Sequence, residues 1–257
     1  MIRFAQSCAA AAIAAWMATS GVAVAGERED AFVAGKSLNC SGCNLAQVSL
    51  KRRNLAGADL SGANLEAASF HRSVLRGANL SGANLKGVNF DAADLTLANL
   101  AGANIENGWF YLTDASRADF TGANLSHALM GSARLILAKL DGVNFEDADL
   151  GDAKLTDATL RGAMLDYTSM KLATAIRADL TGATGQEMDW TDVDLREAKL
   201  VGVAFTNSTF WRANMAEVDM TKATFTSCDL WSANMYQAVQ EGTAFIRSLM
   251  PDNTITK

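Results

Sequence analysis

The chain has 257 residues, with 22 Lys and Arg against 28 Asp and Glu, a net charge of −6 and a single proline. That mildly acidic balance argues against a basic nucleic-acid-binding face. Beyond Ala25 no stretch approaches the roughly 18 uninterrupted apolar residues of a membrane-spanning helix. Residues 1–25 have the three-part form of a secretory signal: Arg3 near the start, an apolar run from Cys8 to Met17, and Ala23-Val24-Ala25 before a charged stretch. A buried or anchoring helix is the alternative, but the run is short for a span and ends in small residues. Cleavage after Ala25 removes Arg3 and Cys8, so the mature chain starting at Gly26 is slightly more acidic and keeps the cysteines Cys40, Cys43 and Cys228. The expected location is an exported compartment, the periplasm or its equivalent.

Residues 26–39, with Phe32 and Val33 among charged neighbours, are expected to form an N-terminal cap built on a short helix. Gly35-Lys36-Ser37 echoes the end of a phosphate-binding loop, but Asp30 stands where its first glycine belongs, so no nucleotide site is expected.

From residue 40 onward the sequence has a period of five. Ala58-Asp59-Leu60-Ser61-Gly62, Ala78-Asn79-Leu80-Ser81-Gly82 and Ala123-Asn124-Leu125 share one template: a small residue, Asn or Asp, a large apolar centre, then two polar or small residues. Between 45 and 235 the centre is Leu, Ile, Phe, Met or Trp in 36 of 39 repeats, and the position two before it is small in 37 of 39, so the pattern cannot be accidental. Five residues advance a helix by roughly 140° beyond a full turn, which would scatter the leucines around it. In a flat strand an odd step flips the face each time. All centres share one core only if the backbone turns a corner once per repeat.

These residues resemble the pentapeptide-repeat family, whose template is A-[DN]-L-x-x, over roughly residues 40–245. The resemblance implies an all-β fold, a right-handed quadrilateral β-helix with four repeats to each coil and about ten coils. It also implies that the centre and the small residue two before it point inward. The array is expected over 40–237, with 238–257 departing from the template as a C-terminal cap or tail. Stacking of every fourth repeat predicts internal columns of Phe70, Phe90 and Phe110, and of Phe205, Phe225 and Phe245. Faults in the pattern, Arg53, Ala115, Ala175 and the pair Gly185 and Met188, are expected to cause local bulges, most of all over 184–189.

Some exported members look similar at the Cys40-x-x-Cys43 pair, which follows a short helix and leads into the array. By register Cys40 is a large inward position and Cys43 a small one. A structural disulfide, two free thiols, and a redox pair or half metal site remain open there; a staple closing so short a loop contributes about 2 kcal/mol. Cys228, at a small inward position, reads as buried filler. His71 and His127 fall on different sides, and the ten aspartates just before a centre are explained by the template. No catalytic residue, metal ligand or cofactor site is expected, and the chain is not expected to be an enzyme. Trp211 and Trp231, four repeats apart, should stack on one outward side with Tyr236 a corner away, either as a contact surface or covered by the returning tail.

These features point to a non-enzymatic interaction or scaffold protein whose protein partner is unknown, with a homodimer through the C-terminal end as one possible contact. Two rivals are a DNA mimic protecting DNA gyrase from quinolones, an activity known in some family members, and a redox protein built on Cys40 and Cys43.

Overall fold

The computed structural model describes residues 25–257. The expected signal, residues 1–25, lies outside them except for Ala25. One helix, α1 (Ala25–Val33), precedes a right-handed quadrilateral β-helix. It stops because Gly35 takes a left-handed φ of 73°, which lets Lys36 N–H reach Ala31 O (2.8 Å) and Gly35 N–H reach Phe32 O (2.9 Å), closing the last carbonyls. Phe32 is fully buried over the first coil. Arg28 Nη2 donates to Ser41 O (2.7 Å), and Asn44 N–H donates to Glu29 Oε1 (3.1 Å), so α1 occupies backbone groups of the first coil that no earlier coil is there to meet.

Each residue before a centre pairs in parallel with the residue 20 positions on, from Asn39↔Asp59 to Asp229↔Leu249. Leu60 N–H donates to Asn79 O (2.7 Å) in the next coil, and Asn79 N–H returns to Ala58 O (2.8 Å). Most corners are tight turns closed by a hydrogen bond, as in Ala58 N–H to Leu55 O (3.0 Å), whereas Arg53, Met188 and Cys228 N–H donate to serine hydroxyls of the next coil instead. The residue two after each centre up to Phe245 takes a positive φ, for example Gly62 at 61° and Arg72 at 58°. The corners keep regular strands short. The only named ones among the described residues are β1 (Thr184–Gln186), β2 (Ala204–Thr206), β3 (Thr224–Thr226) and β4 (Ala244–Ile246), paired in parallel in that order.

Four faces result. The centres from Leu45 to Phe245 form the first, Leu50 to Met250 the second, Leu55 to Met235 the third, and Cys40 to Gln240 the fourth. The inward columns are buried along nearly their whole length. Phe70, Phe90 and Phe110 stack with ring centroids 5.2 and 5.3 Å apart, and Phe205, Phe225 and Phe245 follow at 5.9 and 5.2 Å. Asn and Asp before the centre hold the corners: Asp59 Oδ1 accepts from Ser61 N–H (3.1 Å), and Asn64 Nδ2 reaches Asn44 Oδ1 (2.9 Å) to start a ladder up the first face. Hydroxyl residues are tolerated at the small inward position because they bond the carbonyl of a centre in the preceding coil, as Ser73 Oγ does to Leu50 O (2.6 Å) and Thr113 Oγ1 to Phe90 O (2.7 Å).

The expected bulges do not form. Gly185 pairs in register with Phe205, and Ala115 and Ala175 keep their ladder bonds to Arg134 O and Asp194 O. Volume is exchanged between neighbours instead. Met188 fills the space beside Gly185, where an added Cβ would collide with Met188 Sδ. Beside Ala115, Phe110 and Phe120 meet edge to face at 6.2 Å. Arg53 leaves its inward position altogether: its guanidinium donates to Val33 O (2.8 Å) at the end of α1. The C-terminal boundary also differs from 238, because the ladder continues through Asp219↔Val239, β4 and Asp229↔Leu249. Only 251–257 folds back, with Leu249 and Ile255 bridged antiparallel. Gln240 is exposed and Phe245 only partly buried, yet the backbone beside both keeps its ladder pairing, so the chain keeps turning after the buried columns have faded.

Cys40 and Cys43 are joined in a disulfide beneath α1. Cys228 is a buried free thiol in the column Met188, Ser208, Cys228, Ser248. There the Ser oxygens accept from backbone N–H groups of the preceding coil, Met188 N–H to Ser208 Oγ and Cys228 N–H to Ser248 Oγ, both at 3.1 Å. The Cys228 sulfur takes the place of a hydroxyl, 3.5 Å from Phe205 O. Burial pushes the thiol up to about 11, outweighing the bonds that favour the thiolate. Cys228 should therefore resist a disulfide-exchange reagent at about pH 8 until the chain is unfolded, and Cys228→Ser should keep native stability within about 1 kcal/mol. Rapid labelling of folded protein would contradict this environment.

Candidate interaction surface

Among the described residues the second face carries three of the five exposed aromatic side chains, Trp109, Tyr111 and Trp231, with Tyr167 on the first face and Tyr236 on the third. Trp211 and Trp231 stack outward with ring centroids 6.1 Å apart and an interplanar angle of 6°, one coil above the other. Arg212 lies over the Trp211 ring at 4.3 Å and forms an ion pair with Asp192, anchoring the lower indole. Trp211 is half-buried, while Trp231 remains 43% exposed, so the folded-back tail leaves it open to solvent. Tyr236, 66% exposed, stands on the third face, around the corner from the indole pair.

A second cluster lies lower on the same face and escaped the sequence reading. Trp109 and Leu129 are bridged neighbours at the position before the centre, and Tyr111 and Leu112 sit on the coil of Trp109; all four are more than half exposed. A signal was present, because Trp109 and Leu129 replace the Asn or Asp of the template in repeats exactly one coil apart. Scanning that position as a column would have found them.

On this face Lys51, Arg52 and Arg72 project at the N-terminal end, and Asp149, Asp152, Asp189, Asp192 and Asp229 lie toward the C-terminal end, with Asp91, Lys171 and Arg212 of opposite sign set among them. Eight of the nine ion pairs among the described residues stand on the other three faces, most linking successive coils, such as Arg177–Asp157 (2.7 Å) and Lys86–Glu106 (3.0 Å). Arg212–Asp192 is the remaining pair, on the second face.

His71 is half-buried on the second face, and His127 lies on the first, its Nδ1 3.0 Å from Asp147 Oδ2. Glu187, Asp189, Ser208 and Asp229 line a shallow open groove at the corner between the first and second faces. Among the described residues no group of three His, Cys, Asp or Glu is placed to hold a metal, and no helix is long and apolar enough to cross a membrane.

Asp179 illustrates how the template carboxylates behave. Burial alone would raise its carboxyl, but the Thr181 hydroxyl and amide and the Arg161 guanidinium outweigh it and hold it below the usual carboxylate range. Asp94 and Asp119 are held down in the same way. A lowered folded-state value means stability that is complete above the unfolded carboxylate range and is lost as pH falls through the folded one. Denaturant midpoints should therefore be level near neutrality and decline below about pH 4. A midpoint unchanged down to about pH 2 would show that these carboxylates contribute nothing.

Repeating corners, a continuous parallel ladder and a surface made of aligned columns define a solenoid of the β-helix class, with exposed aromatic groups on one side. The family model described as "Pentapeptide repeats" matches in eight copies across residues 39–77, 73–108, 118–157, 153–184, 176–212 and 205–239. The chain belongs to the pentapeptide-repeat family. Among solved structures it is similar to HetL of the cyanobacterium Nostoc sp. strain PCC 7120, described as involved in heterocyst differentiation regulation, with 24% identity, TM-score 0.67, and 90% of this chain and 98% of that one covered. It also matches QnrB1, a plasmid-mediated fluoroquinolone resistance protein, at 20% identity and TM-score 0.47 over 73% and 88% of the two chains. A third match is Rfr23 of the cyanobacterium Cyanothece 51142, at 25% identity and TM-score 0.39 over 58% and 98%. The likeness to HetL establishes a shared fold. No curated protein sequence matches the chain.

Proposed function

We propose that this is a non-enzymatic interaction or scaffold protein, exported to the periplasm or an equivalent compartment, whose second face makes the contact. The observation that carries the reading is the concentration of exposed Trp109, Tyr111, Leu112, Leu129 and Trp231 on one side of a rod whose other sides pair many of their charges internally. Exposed aromatics grouped in this way are costly to leave in water and are typical anchors of protein contacts. The Cys40–Cys43 bond supports an oxidising location.

The test is to express the full chain, recover it from the envelope fraction, and determine its N-terminus, with Gly26 expected. Self-association and capture of envelope proteins are then measured side by side for the parent and for Trp109→Ala with Trp231→Ala. The double variant should keep its circular-dichroism spectrum, since both side chains point outward, and should lose about tenfold or more in affinity. Unchanged self-association and unchanged capture in a folded double variant would refute the reading.

A further inference from the structure

We propose that the second face docks a second copy of this chain, antiparallel and side by side, about a twofold axis level with Gly131. This rests on the interaction reading above and names the occupant of that surface. The unbroken ladder from Ser49↔Ser69 to Asp229↔Leu249 turns every outward position into a column with a step of about 4.8 Å. When two such faces meet antiparallel across a twofold lying in the contact plane, each column faces its own reverse.

Reversed about Gly131, the position after the centre sets Asp91 of one copy against Lys171 of the other. It places Tyr111 over Gly151 and brings Lys51 to the Trp211 ring. In the position two after the centre Arg72 meets Asp192, and Ala92 meets Leu172. In the position before the centre Leu129 meets its own symmetry mate, and Trp109 is set opposite Asp149. Asp91 against Lys171, a ring over a shelf, and Leu129 on the axis therefore coincide in a single register, in which Leu112 is set against Asp152. Arg52 opposite Arg212 is a like-charge pair, and Asp192, already paired with Arg212, is shared between that guanidinium and Arg72 of the other copy, so the test rests on Asp91 and Lys171.

Two further observations favour a closely approaching surface. Gly131 is not held in a left-handed conformation, and a Cβ there would meet nothing nearer than Gly151 O at 3.8 Å and Tyr111 Cδ2 at 3.9 Å. The coil itself does not require glycine at that point, whereas a backbone arriving from outside would. Lys51, Arg52, Arg72 and Lys171 are all exposed and make no ion pair among the described residues, unlike many of the basic groups on the other faces. The contact strip, from Lys51 to Trp211, is about 40 Å long.

The experiment is sedimentation equilibrium of the full exported chain up to about 100 μM, a range suited to a contact at the small end of the specific-interface scale. The parent should dimerise. Asp91→Lys and Lys171→Asp should each weaken the dimer about tenfold or more, because each places two like-charge pairs across the twofold. Mixing the two variants should restore association, since the heterodimer regains opposite charges at this contact. Variants that dimerise like the parent, a mixture that fails to recover, or a monomeric parent would each overturn the proposal. A dimer broken by Tyr236→Ala and indifferent to Lys171→Asp would place the contact at the C-terminal end instead and also overturn it. A monomer that still captures an envelope protein through Trp109 and Trp231 would sink this inference alone; loss of that capture as well would sink the interaction reading with it.

Discussion

Phe90→Ala is expected to lower the stability of the rod by about 3 to 5 kcal/mol, as for other fully buried aromatic truncations. Phe90 is completely buried, and its ring lies 5.2 Å from Phe70 below and 5.3 Å from Phe110 above. Its removal opens a void in the middle of a column that cannot collapse, because the corners on either side are fixed by ladder bonds such as Phe90 N–H to Trp109 O (2.8 Å) and Ala92 N–H to Tyr111 O (2.8 Å). In a solenoid each coil is stabilised chiefly by its two neighbours, so the loss weakens both interfaces of one coil. Denaturant unfolding followed by circular dichroism measures it. Phe90→Leu, which leaves a smaller void, should retain most of the stability. A loss below about 1 kcal/mol for the alanine variant would mean that the axial column does not carry the fold.

Gly185→Leu, which restores the family template at that repeat, is expected to destabilise rather than stabilise the protein. Even a Cβ at Gly185 would collide with Met188 Sδ and lie 3.2 Å from Leu165 Cβ, and the rest of a leucine needs the space Met188 already fills. Overpacking of this kind costs about 1 to 3 kcal/mol, with more where the backbone is rigid. Met188→Ala alone should cost about 2 to 5 kcal/mol through the cavity it leaves. Joined in one chain, the two changes recreate an ordinary repeat pair, with the large residue at the centre and the small one at the next inward corner. The double variant should therefore lie within about 1 kcal/mol of the parent, giving a coupling energy larger than that of any surface pair. Simple additivity of the two losses would show that Met188 and Gly185 do not share one space.

These positions also show how far the pattern could be read in advance. At Gly185, Ala115 and Ala175 the template supplied a local rule and flagged a fault. It could not reveal that a side chain from the next corner, or from the flanking face of the same coil, fills the gap. The boundary at 238 was misplaced for a related reason. Template matching scores side chains, whereas the ladder is made by backbone groups that pair whatever their side chains are, so Gln240 and Phe245 remain in register. Trp211 and Trp231 were visible as a surface pair because their spacing equals the length of one coil. Trp109, Tyr111, Leu112 and Leu129 do not stand out in the sequence, because each lies at an outward position of its own repeat and they come together only as columns of one face.

The order of residues along the chain was enough to require a corner at every fifth one, since no straight element can bury a large residue at that spacing. With the corner come the inward columns and the place of Cys40 beside Cys43. Which outward residues share a face, how α1 and Arg53 close the N-terminal end, and that the second face leaves most of its charges unpaired became clear only once the coils were stacked. The reason is physical: burial inside a narrow coil is dictated by residues within one repeat, but the character of a face is set by residues many repeats apart that meet only through that stacking.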